Sequence, residues 1–495
     1  MEAAEVTPGQ PVSILASDRE VTRLGESVFR TGAVSEEALR QTCMVLSRMA
    51  LLYRRLEVVG VRAVATSAIR DCRNQREFLA RASEAAGTHV EIISGREEAR
   101  LIQLGVESSW PQGDKRVLIA DIGGGSAEII AAQNGRLLDA YSRPLGSVRL
   151  SAIFLKTDPP ESRQLNQMNE YIQEKLGGAV SRLVHGRWDR AIVTSATAAA
   201  VASAVARVPR SKREQIDRLR IPTPEVRRLY SRISELDLAG RRKITGIGPR
   251  RAEIILPGLA VLLALLKTLQ LPAVYYSRAG VRDGVIADLA ARNVGAKASR
   301  LGDEQRHEVE SMCRRYGVSI EHARKVAHIA SLLFNALQPL HKLPPASGKL
   351  LEAAACLHDV GHFISSTGHH KHSYYVVSNS DMPGFTERER MLVASLCRYH
   401  RKALPNGMHN AYQALSTEEK HVVQMLIPIL RLADGLDRSH KQRIRGLECR
   451  LRDSLVELRV DSRGDVDLEE WSAERAGEAF RQVYNRNVTM AQARP

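Results

Sequence analysis

The residues Asp121-Ile-Gly-Gly-Gly-Ser126 end an apolar run, and Glu128 stands two positions beyond them. Glycines allow backbone N–H groups to approach an anion closely. Ser126 can donate to a phosphate oxygen, and Asp121 can hold Mg2+. The segment is neither G-x-G-x-x-G nor G-x4-G-K-[ST], and a strand follows it instead of a helix, so it is not a dinucleotide or Walker loop. A tight glycine turn without a ligand is the competing reading. Two more segments fit the same chemistry. In Thr66-Ser-Ala-Ile-Arg70 the hydroxyls of Thr66 and Ser67 and the Arg70 guanidinium follow a strand, where ligands of α/β folds bind, and arginine suits bidentate phosphate contact. In Ser94-Gly-Arg-Glu-Glu98 the pair Ser94 and Glu97 forms a capping box. Glu97 therefore has a structural task and Glu98 has none, which makes Glu98 the candidate general base; the alternative is an ordinary first-turn carboxylate.

These residues must be positioned by strands and helices in alternation. Strands are expected at 61–66, 89–93, 117–121, 128–132 and 190–194, with Asn134-Gly135 as a hairpin turn after the fourth. Helical spacing marks 35–57 and 96–106. The apolar run 254–266 is broken by Pro257 and is too short for a bilayer, so it reads as a buried helix. From 304 to 438 the pattern is all-helical, and the tail returns to a strand at 455–460, a turn at Arg463-Gly-Asp465 and a helix at 472–484.

The chain has 495 residues, too many for one ordinary core, and a net charge of +16 that favours anionic partners. Between Arg207 and Arg251 there are 14 basic against 5 acidic residues, either a solvated face or a rail for a polyanion. Composition is globular, which excludes disorder and fibres. Six scattered cysteines without a CxxC pair, and an N-terminus unlike a signal peptide, predict a reduced, cytoplasmic protein with no membrane or nucleic-acid partner.

The strings ATSAIRDCRN (65–74), ISGREEARLIQLGV (93–106), LIADIGGGSAEI (118–129), RPLGSVRL (143–150), RAEIILPG (251–258) and YYSRAGVRDGVIADL (275–289) resemble, in order, the exopolyphosphatase/guanosine pentaphosphate phosphatase (Ppx/GppA) family. The resemblance implies an α/β actin-like core, with lobe I at 1–125 and lobe II at 126–297, and a homodimer. It implies Glu98 as catalytic base, Arg70 on the departing phosphate, and a phosphate and Mg2+ (or Mn2+) site built from Asp121, Gly123, Gly124, Gly125, Ser126 and Glu128. Gly146 and Ser147, within 146–149, and the segment 277–284 resemble cleft-lining motifs of the family. The expected activity is release of terminal phosphates from inorganic polyphosphate. The alternatives are 5′-phosphate removal from guanosine pentaphosphate (pppGpp) and a non-catalytic polyphosphate or nucleotide sensor. Two departures stand out. The family's opening D-x-G-[ST]-N-S loop is missing, and the preferred expectation is a start codon upstream, the other being a lost half of the phosphate clamp. Thr194-Ser-Ala-Thr197 replaces a glycine-rich turn.

Thirteen of the fifteen histidines lie between His307 and His440. His322, His358-Asp359 and Asp434 occur in the order of the HD phosphohydrolase domain, which this region (298–442) resembles; nitrogen and oxygen ligands from separate helices can converge on a divalent cation and activate water. An HD-like domain with its own metal, and a metal-dependent nucleotide phosphohydrolase activity there, are therefore expectations. His400 is a weaker ligand candidate, and His362, His369, His370 and His372 could extend the site to a further metal or to phosphate. A small α+β domain is expected at 443–495.

Overall fold

The structure, a computed structural model, describes all residues except 8, 9, 11, 181, 182, 184–186, 295–298, 453 and 493–495. It divides into two compact units, Met1–Val294 and Gly295–Pro495.

In the first unit the strands are β1 (Glu2–Glu5), β2 (Ser13–Ser17), β3 (Ala63–Ala65), β4 (Val90–Ile92), β5 (Arg116–Ile122), β6 (Ala127–Gln133), β7 (Arg136–Arg143), β8 (Arg190–Thr194), β9 (Arg220–Pro222) and β10 (Ala273–Tyr276). Six form one mixed sheet in the order β7-β6-β5-β8-β10-β9. β5 is antiparallel to β6 and parallel to β8. Its alternation sorts its side chains to opposite faces. Leu118, Ala120 and Ile122 join the helix Ile255–Thr268 in one core. Val117 and Ile119 join Ala99, Ile102 and Val106 of the helix Gly95–Ser109 in another. The apolar run expected as a buried helix is that first helix, buried along most of its length.

β3 and β4 form a separate parallel pair. The helices Glu36–Arg55 and Gln75–Ala86 cover them around Leu39, Phe78 and Ala82. All five expected strands are present, and the Asn134-Gly135 turn has both residues at positive φ, 53° and 69°, as a two-residue hairpin loop needs. The expected lobe boundary at residue 125 is corrected. It would cut the β5–β6 hairpin, whose two strands belong to one sheet.

The helix bearing Glu98 is fixed from behind. Val281–Val294 crosses it so closely that a Cβ on Gly284 would lie 1.7 Å from the Leu101 carbonyl oxygen. A buried ion network lies beside the crossing. Asp288 accepts from Arg100 (2.7 Å) and Arg62 (2.9 Å), and Arg62 also reaches Glu91 (2.6 Å) and Glu97 (3.1 Å).

The second unit is helical, with a three-stranded sheet in the order β11 (Ile444–Leu451), β12 (Leu455–Ser462), β13 (Asn487–Gln492). The tail is not a separate body. Val456, Leu458, Ala473 and Phe480 share one core with Leu351, Leu396 and Leu430 of the helices. The helix expected at 472–484 starts earlier, spanning Asp467–Tyr484. Among the described residues no helix is long and apolar enough to cross a membrane.

Candidate active site

The glycine loop is the turn of the β5–β6 hairpin, closed by Gly123 N–H donating to the Ser126 carbonyl (3.0 Å). Its carbonyls face the start of the helix Ser147–Phe154. Gly123 accepts from the N–H (2.9 Å) and Oγ (3.1 Å) of Ser147, Gly124 from the N–H groups of Val148 (2.9 Å) and Arg149 (3.1 Å), and Gly125 from Arg149 Nε (2.7 Å). Across a trans peptide the N–H points opposite to the C=O. The amides of Gly124, Gly125 and Ser126 are therefore turned away from that helix, as a nest for an anion requires. Gly146 permits the approach, since a Cβ there would sit 2.3 Å from the Gly124 carbonyl group. Gly146 and Ser147, expected to line the cleft, stand where they brace the loop.

Three carboxylates gather beside the loop. Asp121 and Glu128 face each other in the β5–β6 ladder. Glu98 sits in the first turn of Gly95–Ser109, whose cap is Ser94 Oγ accepting from the Glu97 N–H (3.1 Å). The Glu97 carboxylate is held by Arg62 and by Arg100 (2.8 Å). Burial raises the Glu98 carboxyl, and Arg70, 3.4 Å away, opposes that rise. Burial and the Glu98 charge push Asp121 up to about 7. Burial, then Glu98 and Asp121, drive Glu128 well above the carboxylate range, although Ser142 Oγ donates to it at 2.8 Å. Buried, mutually repelling carboxylates fit a divalent cation, and Mg2+ commonly uses one or two carboxylates together with waters and substrate phosphates. Arg70 also donates to the Ile93 carbonyl (2.6 Å). Ser67 is buried under the loop and accepts from Arg149 at 3.1 Å. Thr66 precedes the short helix Ser67–Arg70 without capping it through its side chain.

A cavity of about 550 Å³ reaches Val148, next to the loop. Arg19, Arg23, Arg210, Arg213, Arg250 and Arg251 line it, with Glu26 and Glu253 as counter-charges among the described residues. Burial lowers Arg19, Arg213 and Arg251, helped by Arg282 at Arg19, by Arg210 and Arg19 at Arg213, and by Arg19 and Arg213 at Arg251, which falls to about 10. Of the basic stretch 207–251, four arginines face this cavity. Arg19 and Arg23 were not anticipated, since they stand far away in sequence and apart from any motif. Thr197, from the departing Thr194–Thr197 turn, accepts from Arg251 at 3.3 Å. Ser195 there has φ 95°, a conformation that glycine adopts without strain.

The histidine candidates come together in the second unit. His358 Nε2 lies 3.3 Å from Asp434 and 3.6 Å from Asp359, and His322 Nε2 lies 3.8 Å from Asp434. His369, His362 and His400 approach the other Asp359 oxygen at 3.4, 3.5 and 4.0 Å. Burial pulls His369 down to about 4 and His400 to about 3. At His358 burial also acts downward, but Asp359 and Asp434 outweigh it and push the imidazole up to about 9. His370, His372 and the weaker candidate His400 fall outside the ligand groupings, whereas His440, missed in the sequence, groups with His322 and Asp359 and stacks on His322 at 3.7 Å.

A glycine turn whose amides face away from its bracing helix, beside buried carboxylates, suits an enzyme that cleaves phosphate bonds, a phosphohydrolase. The chain belongs to the Ppx/GppA phosphatase family, whose model matches residues 3–293, and the model of the family's domain III matches 305–471. The expected HD-type assignment of the helical region is not supported: the matching model there is the phosphatase family's own domain III. A guanosine-5'-triphosphate,3'-diphosphate pyrophosphatase of Photobacterium profundum is 25% identical over 422 residues, 85% of this chain and 81% of that protein. An exopolyphosphatase from Cytophaga hutchinsonii is similar in structure, with a TM-score of 0.55 and 25% identity, covering 59% of this chain and 93% of that one. An Aquifex aeolicus Ppx/GppA family member aligns with a TM-score of 0.52 and 27% identity over 59% and 94% of the respective chains.

Proposed function

We propose that this chain hydrolyses the terminal phosphoanhydride of inorganic polyphosphate. The supporting observation is the cavity that reaches the glycine loop through Val148: six arginines, two glutamates and, among the described residues, no aromatic side chain line it, which suits a chain of phosphates better than a base that needs stacking. In this reading the amides of Gly124, Gly125 and Ser126 and the Arg70 guanidinium hold the terminal phosphoryl group. Glu98 takes the proton of the attacking water. Its burial raises its basicity toward the working pH, where a general base is most effective. Arg70, its ion-pair partner without substrate, turns to the phosphate when the base is needed. Asp121 and Glu128 would hold Mg2+ or Mn2+, which supplies charge neutralisation on the phosphate oxygens.

Removal of the 5′-phosphate from guanosine pentaphosphate is the second reading, favoured by the name of the Photobacterium relative. A competition assay separates the two. With both substrates present, long-chain polyphosphate is expected to suppress phosphate release from pppGpp more strongly than the reverse. The opposite order would replace the first reading with the second.

A further inference from the structure

The second unit contains a cluster that the phosphatase mechanism does not use. Its ring nitrogens are oriented from outside. His322 Nδ1 is bonded to Asp437 Oδ2, His358 Nδ1 to the Ala355 carbonyl and His400 Nδ1 to the Cys397 carbonyl, each at 2.8 Å. Acceptors on the outer edge place the proton at Nδ1 and leave Nε2 directed inward, the arrangement that outer partners impose on metal-bound histidines.

The inward nitrogens are poorly served by the protein itself. His322 Nε2 is buried without a hydrogen-bond partner and His358 Nε2 meets the Asp434 carboxylate at 3.3 Å, each in a side chain 1% exposed. His369 Nε2 and His400 Nε2 face each other at 3.1 Å. An unpaired buried nitrogen is costly, and a proton shared between the two Nε2 atoms would cost one ring its Nδ1 donation, whereas a cation held between them leaves both Nδ1 protons in place.

The geometry supplies two places for one. Donor atoms about 2.0–2.2 Å from an ion in tetrahedral or octahedral coordination are about 2.8–3.6 Å from one another, close to the separations here. His322, His358 and Asp434 offer donor atoms within 4.8 Å of one another, and so do Asp359, His362 and His369. The Asp359 carboxylate spans both, with Oδ2 toward His358 (3.6 Å) and Oδ1 toward His369 (3.4 Å) and His362 (3.5 Å). Asp359 and Asp434 remain 17% and 18% exposed and His362 43%, which leaves an entry path from solvent.

We propose that this cluster is a dinuclear centre for divalent first-row transition ions. His322, His358, Asp434 and one Asp359 oxygen hold one ion; the other Asp359 oxygen, His362, His369 and His400 hold its neighbour. Mixed imidazole and carboxylate donors suit manganese, iron, cobalt or zinc better than magnesium or calcium. The ligands come from well-separated stretches of sequence, so metal binding also ties the helices of this unit together.

The test is Co2+ binding to the full-length chain after chelator dialysis, read by visible d–d absorption and by elemental analysis. Asp121→Asn serves as background, so that the phosphatase site does not contribute. A pair of bound ions per chain is expected, with one lost in His369→Gln and the other lost in His358→Ala/Asp434→Ala. A single ion or none in the parent, or metal content unchanged in His369→Gln, overturns the proposal. The His369→Gln arm gives its answer even if the double variant fails to fold.

Discussion

Asp121 and Glu128 are direct partners across the β5–β6 ladder, on either side of the glycine turn that separates them in sequence. Their pairing places two buried carboxyls beside the glycine turn, and burial, then the Glu98 charge, raises both.

One consequence is a pH-dependent stability. Asp121 keeps its proton in the folded state up to about 7, whereas an ordinary aspartate loses it near 3.8. The folded form therefore loses relative stability as pH rises between those values and no further above them. The cost of this carboxyl is on the order of 4 kcal/mol above pH 7. In chelator, Asp121→Asn is expected to flatten the melting temperature between pH 4 and 8 and to raise it at pH 8. Parallel wild-type and variant profiles would show that Asp121 titrates normally.

Ser195 stands at φ 95° in a turn where glycine would be unstrained. Ser195→Gly is expected to stabilise the protein by about 1 kcal/mol, as measured by urea denaturation. A destabilised variant would mean that the Ser195 side chain contributes more than its backbone costs. Its Oγ does accept from the Thr197 N–H at 3.2 Å.

Arg251 lines the arginine cavity and is lowered by burial and by its arginine neighbours. Arg251→Ala is expected to raise KM for polyphosphate about tenfold, the scale of one charged hydrogen bond, with little change in kcat. Added salt should weaken binding less in the variant than in the wild type. An unchanged KM would place the substrate elsewhere.

The sequence revealed the site's parts more readily than their connections. The Asn134-Gly135 turn and the glycine hairpin are local signals, and each has its structural counterpart; of the expected capping box the Ser94 half is present, while the Glu97 carboxylate goes to Arg62 and Arg100. The Ser142 contact to Glu128 was not legible. Counting back from the turn pairs Glu128 with Tyr141, but an irregularity at Ala131/Ala132 shifts the register by one and brings Ser142 opposite instead. The Arg62–Asp288 bond joins residues 226 positions apart, and Arg19 and Arg23 meet Arg251 only through the fold. Periodicity does not report such long-range pairings. The division at residue 125 cuts the same glycine hairpin, whose two strands pair along their whole length in one sheet.

The central claim is that Glu98 activates the attacking water. The most direct measurement is phosphate release by Glu98→Gln under saturating polyphosphate, with substrate affinity measured in parallel by calorimetry. The variant should retain the cavity and nest, so binding should be nearly unchanged while kcat falls about 10²–10⁴-fold, the contribution of a positioned general base. Phosphate release at the wild-type rate would contradict the assignment and move the base to another group.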